Sequence, residues 1–181
     1  MARKRVALLR GINVGRAKRI AMGDLRALVQ SLGYSDVRTL LNSGNVVFTV
    51  PSAIRGEPAA RIEIAIAQRL GVSSRVTVLT AVELATAIAD NPLLDIARDP
   101  SRLLVGVLRN AADRARLEPL TKRDWAPDEF AIGRRVAYLW CPNGMIQSRL
   151  AESVNRALGD AVTTRNWATM VKLKALVEAT P

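Results

Sequence analysis

Residues 37–50 read Val-Arg-Thr-Leu-Leu-Asn-Ser-Gly-Asn-Val-Val-Phe-Thr-Val. Two short apolar runs, residues 37–41 and 46–50, flank Asn42, Ser43, Gly44 and Asn45, residue types that accept the tight backbone of a β-hairpin turn. Working outward, the pattern predicts a strand over residues 5–10 (RVALLR). Its apolar residues are consecutive rather than alternating, as in a strand covered on both faces. A loop holding Gly11 and Gly15 follows. Met22, Leu25, Leu28, Val29 and Leu32 then recur at helical spacing up to Gly33, a natural helix stop. Beyond the hairpin, residues 51–58 read as a loop, 59–70 as a helix ended by Gly71, and 75–80 as a strand. The order is β-α-β-β-α-β, the split βαβ or ferredoxin-like arrangement.

A linking helix over residues 82–89 and a loop with Asn91, Pro92, Pro100 and Ser101 lead into a second series. The pattern predicts a strand at 103–108, a weak helix at 111–117, and a hairpin of 130–132 with 136–141 around Gly133. A helix at 145–158 stopped by Gly159, a short strand at 161–163 and a last helix at 166–179 complete it. The order of elements repeats, whereas the residues themselves do not. The expected fold class is α+β: two tandem ferredoxin-like units, residues 1–80 and 102–181, joined by 81–101, with the C-terminal helix on the second.

Composition narrows the chemistry. The 181 residues contain one cysteine, Cys141, and no histidine. An internal disulfide, a CxxC pair, a Cys- or His-ligated metal and any Ser/His/Asp or Cys/His nucleophile system are therefore excluded. No metal site and no cofactor are expected. No apolar run approaches the ~20 residues of a membrane span, and residues 6–9 are too short for a signal peptide core, so a soluble, cytoplasmic protein without membrane partners is expected. The net charge of +11 is unevenly spread. Residues 1–20 hold Arg3, Lys4, Arg5, Arg10, Arg16, Lys18 and Arg19 with no acid, and residues 134–181 contribute +4, while 21–133 balance at 13 bases and 13 acids. Such ends suit an anionic partner. Arginine outnumbers lysine 22 to 5, however, and a GC-rich coding sequence gives the same skew without any partner, so both readings stand.

The split βαβ topology runs strands one and two in the same sense, with strand three between them. The loop after strand one and the turn before strand three thus share an edge of the sheet. Arg10, Gly11, Asn13, Gly15 and Lys18 then converge with Asn42, Ser43 and Asn45. Glycines that allow close backbone approach, amides, a hydroxyl and two cations suit a phosphate or carboxylate. GINVG is neither GxGxxG nor a P-loop, and the same glycines and asparagines equally serve turn geometry. By the same topology a second cluster, Asn143, Ser148, Arg165, Asn166 and Lys172, gathers at the opposite sheet edge of the second unit. There Arg165, Thr169 and Lys172 are expected on one face of the last helix. The competing reading makes Asn166 or Thr164 a helix cap and leaves Arg165 solvated.

An RNA-binding sheet needs aromatic residues on the open face of its central strands. Phe48 is alone in the first unit, and Tyr138 with Trp140 share a face in the second, where core packing is the simpler role. The aspartates show no DxD spacing.

These stretches resemble an uncharacterised bacterial family known as domain of unknown function 1697. The resemblance is carried by residues 6–15 (VALLRGINVG), 36–39 (DVRT), 42–48 (NSGNVVF), 142–144 (PNG) and 163–167 (TTRNW), followed by Lys172 and Leu173. Members typically carry a second glycine and a lysine directly after GINVG, where this chain has Arg16 and Ala17 before Lys18. The resemblance implies two similar ferredoxin-like halves and no established activity.

Three functions fit these residues. The first is a binding protein for a phosphate-bearing partner, a nucleic acid or a phosphorylated, nucleotide-like small molecule, through the basic strand-one loop. The second is a histidine-independent enzyme in which Lys18 or a carboxylate transfers protons and Arg10 or Arg165 steadies an anion. The third is a protein-interaction or oligomerisation module. Nothing in the sequence specifies an oligomeric state.

Overall fold

The computed structural model describes residues 3–179. Mixed α and β elements form two four-stranded antiparallel sheets. The chain divides into two compact units, one comprising the described residues up to Val82 together with those from Leu173, the other Glu83–Lys172.

In the first unit the elements run β1 (Arg3–Leu9), α1 (Met22–Ser31), β2 (Ser35–Leu40), β3 (Asn45–Val50), α2 (Pro58–Leu70) and β4 (Val76–Thr80). The sheet order is β2-β3-β1-β4. Leu8 pairs with Asn45 and Leu40 with Asn45, so the end of β1 and the β2–β3 turn meet at one edge, as the sequence predicts. Val6, Ala7, Leu8 and Leu9 are all fully buried, which explains why their apolar character is consecutive. Ala7, Leu9, Val46 and Phe48 form one core with Leu25 and Val29 of α1 and Ile62 and Ile66 of α2. Val6 and Leu8 on the other face are as deeply buried. At ~1.5–3 kcal/mol for each fully buried large aliphatic side chain, this strand contributes several kcal/mol of apolar burial to the unit. A register shift interrupts β2 between Ser35 and Arg38, where Asp36 takes a φ of 51°. Lys4 on β1 donates its Nζ to the carbonyl oxygens of Val177 (2.8 Å) and Ala179 (3.0 Å) at the end of α5 (Trp167–Glu178). A cation on the open carbonyls of a helix C-terminus is favourable in both charge and hydrogen bonding.

Helix α3 (Ala81–Ala89) follows β4. The second unit then holds β5 (Leu103–Leu108), β6 (Glu129–Ile132), β7 (Val136–Trp140), α4 (Arg149–Leu158) and β8 (Val162–Asn166). Its sheet order, β6-β7-β5-β8, matches that of the first. Leu104 is 6% exposed and all six residues of β5 are buried. Tyr138 is buried and its hydroxyl donates to Ala87 O at 2.8 Å, which makes it a core residue and not a stacking platform. Phe48 is equally buried.

Three expectations are corrected. The weak helix extends over Ala111–Lys122 as a 3-10 segment, with Leu117 and Leu120 buried three residues apart, the repeat of that helix type. The helix expected at 145–158 is two pieces, a 3-10 turn at Met145–Gln147 and α4, because the Ser148 hydroxyl accepts from Ala151 N and caps a new helix. The strand expected at 161–163 runs to Asn166, so Arg165 lies on β8 and not on a helix face with Thr169 and Lys172. Thr169 is itself buried.

Candidate functional site

The strand-one loop is built around Asn13. Its main-chain N–H donates to Lys18 O at 3.0 Å, closing a short loop over residues 13–18. Its side-chain Oδ1 accepts from Ile20 N (2.9 Å), and its Nδ2 donates to Ile20 O (2.9 Å) and to Asn42 O (2.7 Å). Asn13 and Lys18 adopt φ of 54° and 52°, and Gly11 and Gly15 take 65° and 62°. A single asparagine thus cross-links the closed loop to the residue that leaves it and to the β2–β3 turn. Asparagine suits the position, since it tolerates the left-handed region and carries both a donor and an acceptor.

The turn is fixed equally firmly. Asn45 is fully buried, with its Nδ2 donating to Leu40 O (2.8 Å) and Ser43 Oγ (2.9 Å). Leu9 N donates to Gly44 O at 2.8 Å. Arg10 is half-buried; its main-chain N–H donates to Arg75 O and its carbonyl accepts from Ser74 Oγ, each at 2.8 Å. The two segments therefore meet as expected. Asn13 and Asn45, the amides expected to face a ligand, instead hold the loop and turn together.

The loop's outward chemistry lies in its cations. Arg16, Lys18 and Arg19 are exposed, and none of their side chains has a hydrogen-bond or ion-pair partner among the described residues. Val14, 72% exposed, is the apolar residue among them.

In the second cluster, Ser148 is buried and Asn166 caps α5, its Oδ1 accepting from Thr169 N at 2.9 Å. Lys172 is exposed on α5. Arg165 is half-buried, donates to Thr164 O (2.9 Å), and burial pulls its guanidinium down to about 10. Asn143 belongs elsewhere: with Asp124, Trp125, Asp128, Gln147 and Arg149 it lines an open cleft. The β6–β7 register pairs Glu129 with Trp140, which brings the segment before β6 beside the segment after β7. Trp125, Asp128 and Gln147 had no sequence signal, since only this hairpin register brings them beside Asn143 and Arg149.

Of the lining residues, Asp128 ends a buried hydrogen-bonded chain. Cys141 Sγ donates to Ser148 Oγ (3.3 Å), and that hydroxyl donates to Asp128 Oδ2 (2.7 Å) while accepting from Ala151 N. Burial pushes the Cys141 thiol up to about 11, far from a reactive thiolate. Among the described residues no group of three Cys, Asp or Glu side chains gathers as a metal site. No helix among them is long and apolar enough to cross a membrane.

The sequence model of a family described as Protein of unknown function (DUF1697) matches residues 2–138. The chain belongs to this family. The DUF1697 match takes in the strand-one loop and the β2–β3 turn, and ends inside β7, before the residues that complete the cleft. No curated protein matches. Among solved structures, the conserved bacterial protein SP0830 from Streptococcus pneumoniae is similar, with 18% identity, a TM-score of 0.79, and coverage of 98% of this chain and 100% of that one. At that identity the likeness is one of fold.

Proposed function

We propose that this DUF1697 protein binds a phosphate-bearing polyanion, a nucleic acid or a nucleotide-like molecule, through the loop after β1. The observation that carries the reading is a closed loop, pinned by Asn13, that presents Arg16, Lys18 and Arg19 to solvent without side-chain partners. Cations without intramolecular partners remain available to phosphate oxygens, and a pinned loop loses little freedom on binding. The acid-free stretch of residues 1–20 adds a field of one sign around them. We read the framework as two ferredoxin-like units. The β2-β3-β1-β4 order and its counterpart β6-β7-β5-β8 support this reading.

Phe48 and Tyr138 are buried and unavailable for base stacking, so we read recognition as resting on phosphates and insensitive to sequence. The test is fluorescence anisotropy with labelled duplex and single-stranded oligonucleotides, and with nucleotides, over a series of salt concentrations. Binding of the parent should weaken steeply with salt. The triple variant Arg16→Ala/Lys18→Ala/Arg19→Ala should lower the slope of log affinity against log salt by about 2 to 3. Equal binding by parent and variant, or no binding by the parent at low salt, overturns the proposal.

A further inference from the structure

We propose that the cleft between the segment before β6 and the segment after β7 is a binding site for an uncharged polyhydroxylated ring, a sugar. It is independent of the anion-binding loop and lies in the other unit.

Three observations carry it. First, the lining combines an indole, Trp125, with five planar polar side chains: Asp124, Asp128, Asn143, Gln147 and Arg149. Carboxylates only accept hydrogen bonds, a guanidinium only donates and carboxamides do both. A ring of hydroxyls, each donor and acceptor at once, can satisfy all three kinds, while its C–H face can rest on an aromatic ring. Second, the side chains of Asn143, Gln147 and Arg149 have no hydrogen-bond or ion-pair partner among the described residues. The fold makes no use of them, in contrast to the asparagines of the strand-one loop. Third, the walls are set in advance. Ser148 links Asp128 of one wall to the cap of α4, whose first residue is Arg149, and Trp125 is held by its Nε1–H to Leu120 O at 2.8 Å with the Arg123 guanidinium 5.9 Å from the ring centroid. Side chains fixed before the ligand arrives lower the cost of binding.

Charge selects among ligands. Two aspartates oppose a phosphate, and Arg149 opposes a simple cation. A small zwitterion would engage Arg149 and one aspartate but leave both carboxamides and the indole without a role. A neutral polyol meets none of these obstacles.

The test uses the full chain in isothermal titration calorimetry and saturation-transfer NMR with glucose, galactose, mannose and ribose, and with glycine and inorganic phosphate as comparison ligands. At least one sugar should bind saturably at millimolar concentration, while glycine and phosphate leave that binding unchanged. Asn143→Ala and Gln147→Ala should each weaken it about fivefold, the effect of losing one neutral hydrogen bond. Both side chains are exposed and unpartnered, so the thermal midpoint of either variant should stay at the parent's value. Absence of saturable binding by all four sugars, sugar binding unchanged in the double variant, or displacement of the sugar by glycine or phosphate would each overturn the proposal.

Discussion

The side-chain Nδ2 of Asn13 donates to the main-chain oxygen of Asn42 at 2.7 Å, across 29 residues of sequence. This bond and the two to Ile20 make Asn13 the fastener of the loop, and a substitution there reads out how far the loop depends on it. Asn13→Ala removes three hydrogen bonds and places a poorly suited residue at φ 54°. Stability should fall by about 2 kcal/mol, from net bonds of ~1 kcal/mol each partly regained from water. Asn13→Asp retains the acceptor for Ile20 N but sets an oxygen against the carbonyls of Ile20 and Asn42, so it should recover little. Denaturant midpoints of the two variants, with hydrogen exchange at Ile20 N–H, check both statements.

Gly44→Ala should be more damaging than its size suggests. An added Cβ would lie 2.7 Å from Leu9 Cβ and 2.8 Å from Ile12 Cδ1, at a φ of 80°. Both neighbours are buried and hold the loop against the turn. The combination of left-handed strain and overpacking is expected to cost about 3 kcal/mol, read from urea unfolding. Gly15→Ala is the control. Its φ is 62° but an added Cβ would meet nothing within 4 Å, so the cost should stay near 1 kcal/mol.

Ser148→Ala breaks a three-way junction. It removes the cap of α4 and leaves the buried Asp128 carboxylate without the hydroxyl that donates to it. The expected loss is about 2 to 3 kcal/mol, a cap plus an unsatisfied charged acceptor. In the parent, native Cys141 should resist iodoacetamide at pH 8 and react only once unfolded, because burial holds the thiol at about 11. Rapid alkylation under native conditions, followed by mass spectrometry, would contradict the buried placement.

Tyr138 sets an alkaline limit. Burial raises its phenol to about 12, from 10.0 in an open chain. The unfolded chain therefore loses this proton first, and a pKa raised in the folded state makes stability fall as pH rises. The contribution is complete below pH 10 and is lost on the way to about pH 12. Tyr138→Phe should cost about 1 kcal/mol at neutral pH, because the Ala87 carbonyl loses its hydroxyl donor. It should also flatten the stability curve between pH 10 and 12, measured by denaturant midpoints along a pH series.

The framework was legible because burial on both faces writes itself into sequence as consecutive apolar residues. Val6–Leu9 and Leu103–Leu108 read as strands for that reason, and Asn42–Asn45 read as a turn from residue chemistry alone. Local signals failed where a side chain's partner lay far along the chain. Nothing in the vicinity of Ser148 distinguishes a helix interior from a helix cap, since the decision rests on Asp128, twenty residues away. Arg165 looked like a helix residue because a caps-and-helix pattern begins one residue later, whereas pairing with Val105 extends the strand through it. The strand-one loop and the β2–β3 turn do meet, but the amides of Asn13 and Asn45 bond within the fold, and Arg16, Lys18 and Arg19 are the exposed side chains beside them.

The bonds from Lys4 to Val177 and Ala179 tie the second described β1 residue to the very end of α5, 173 and 175 residues later. During synthesis the chain emerges in order, so the whole of the second unit is made before the first can be completed. The four strands of the first sheet are all made by Thr80, so that sheet waits without the segment that completes its unit until residues 173–179 arrive. Premature termination anywhere in α5 therefore leaves its defect at the opposite end of the sequence, in β1.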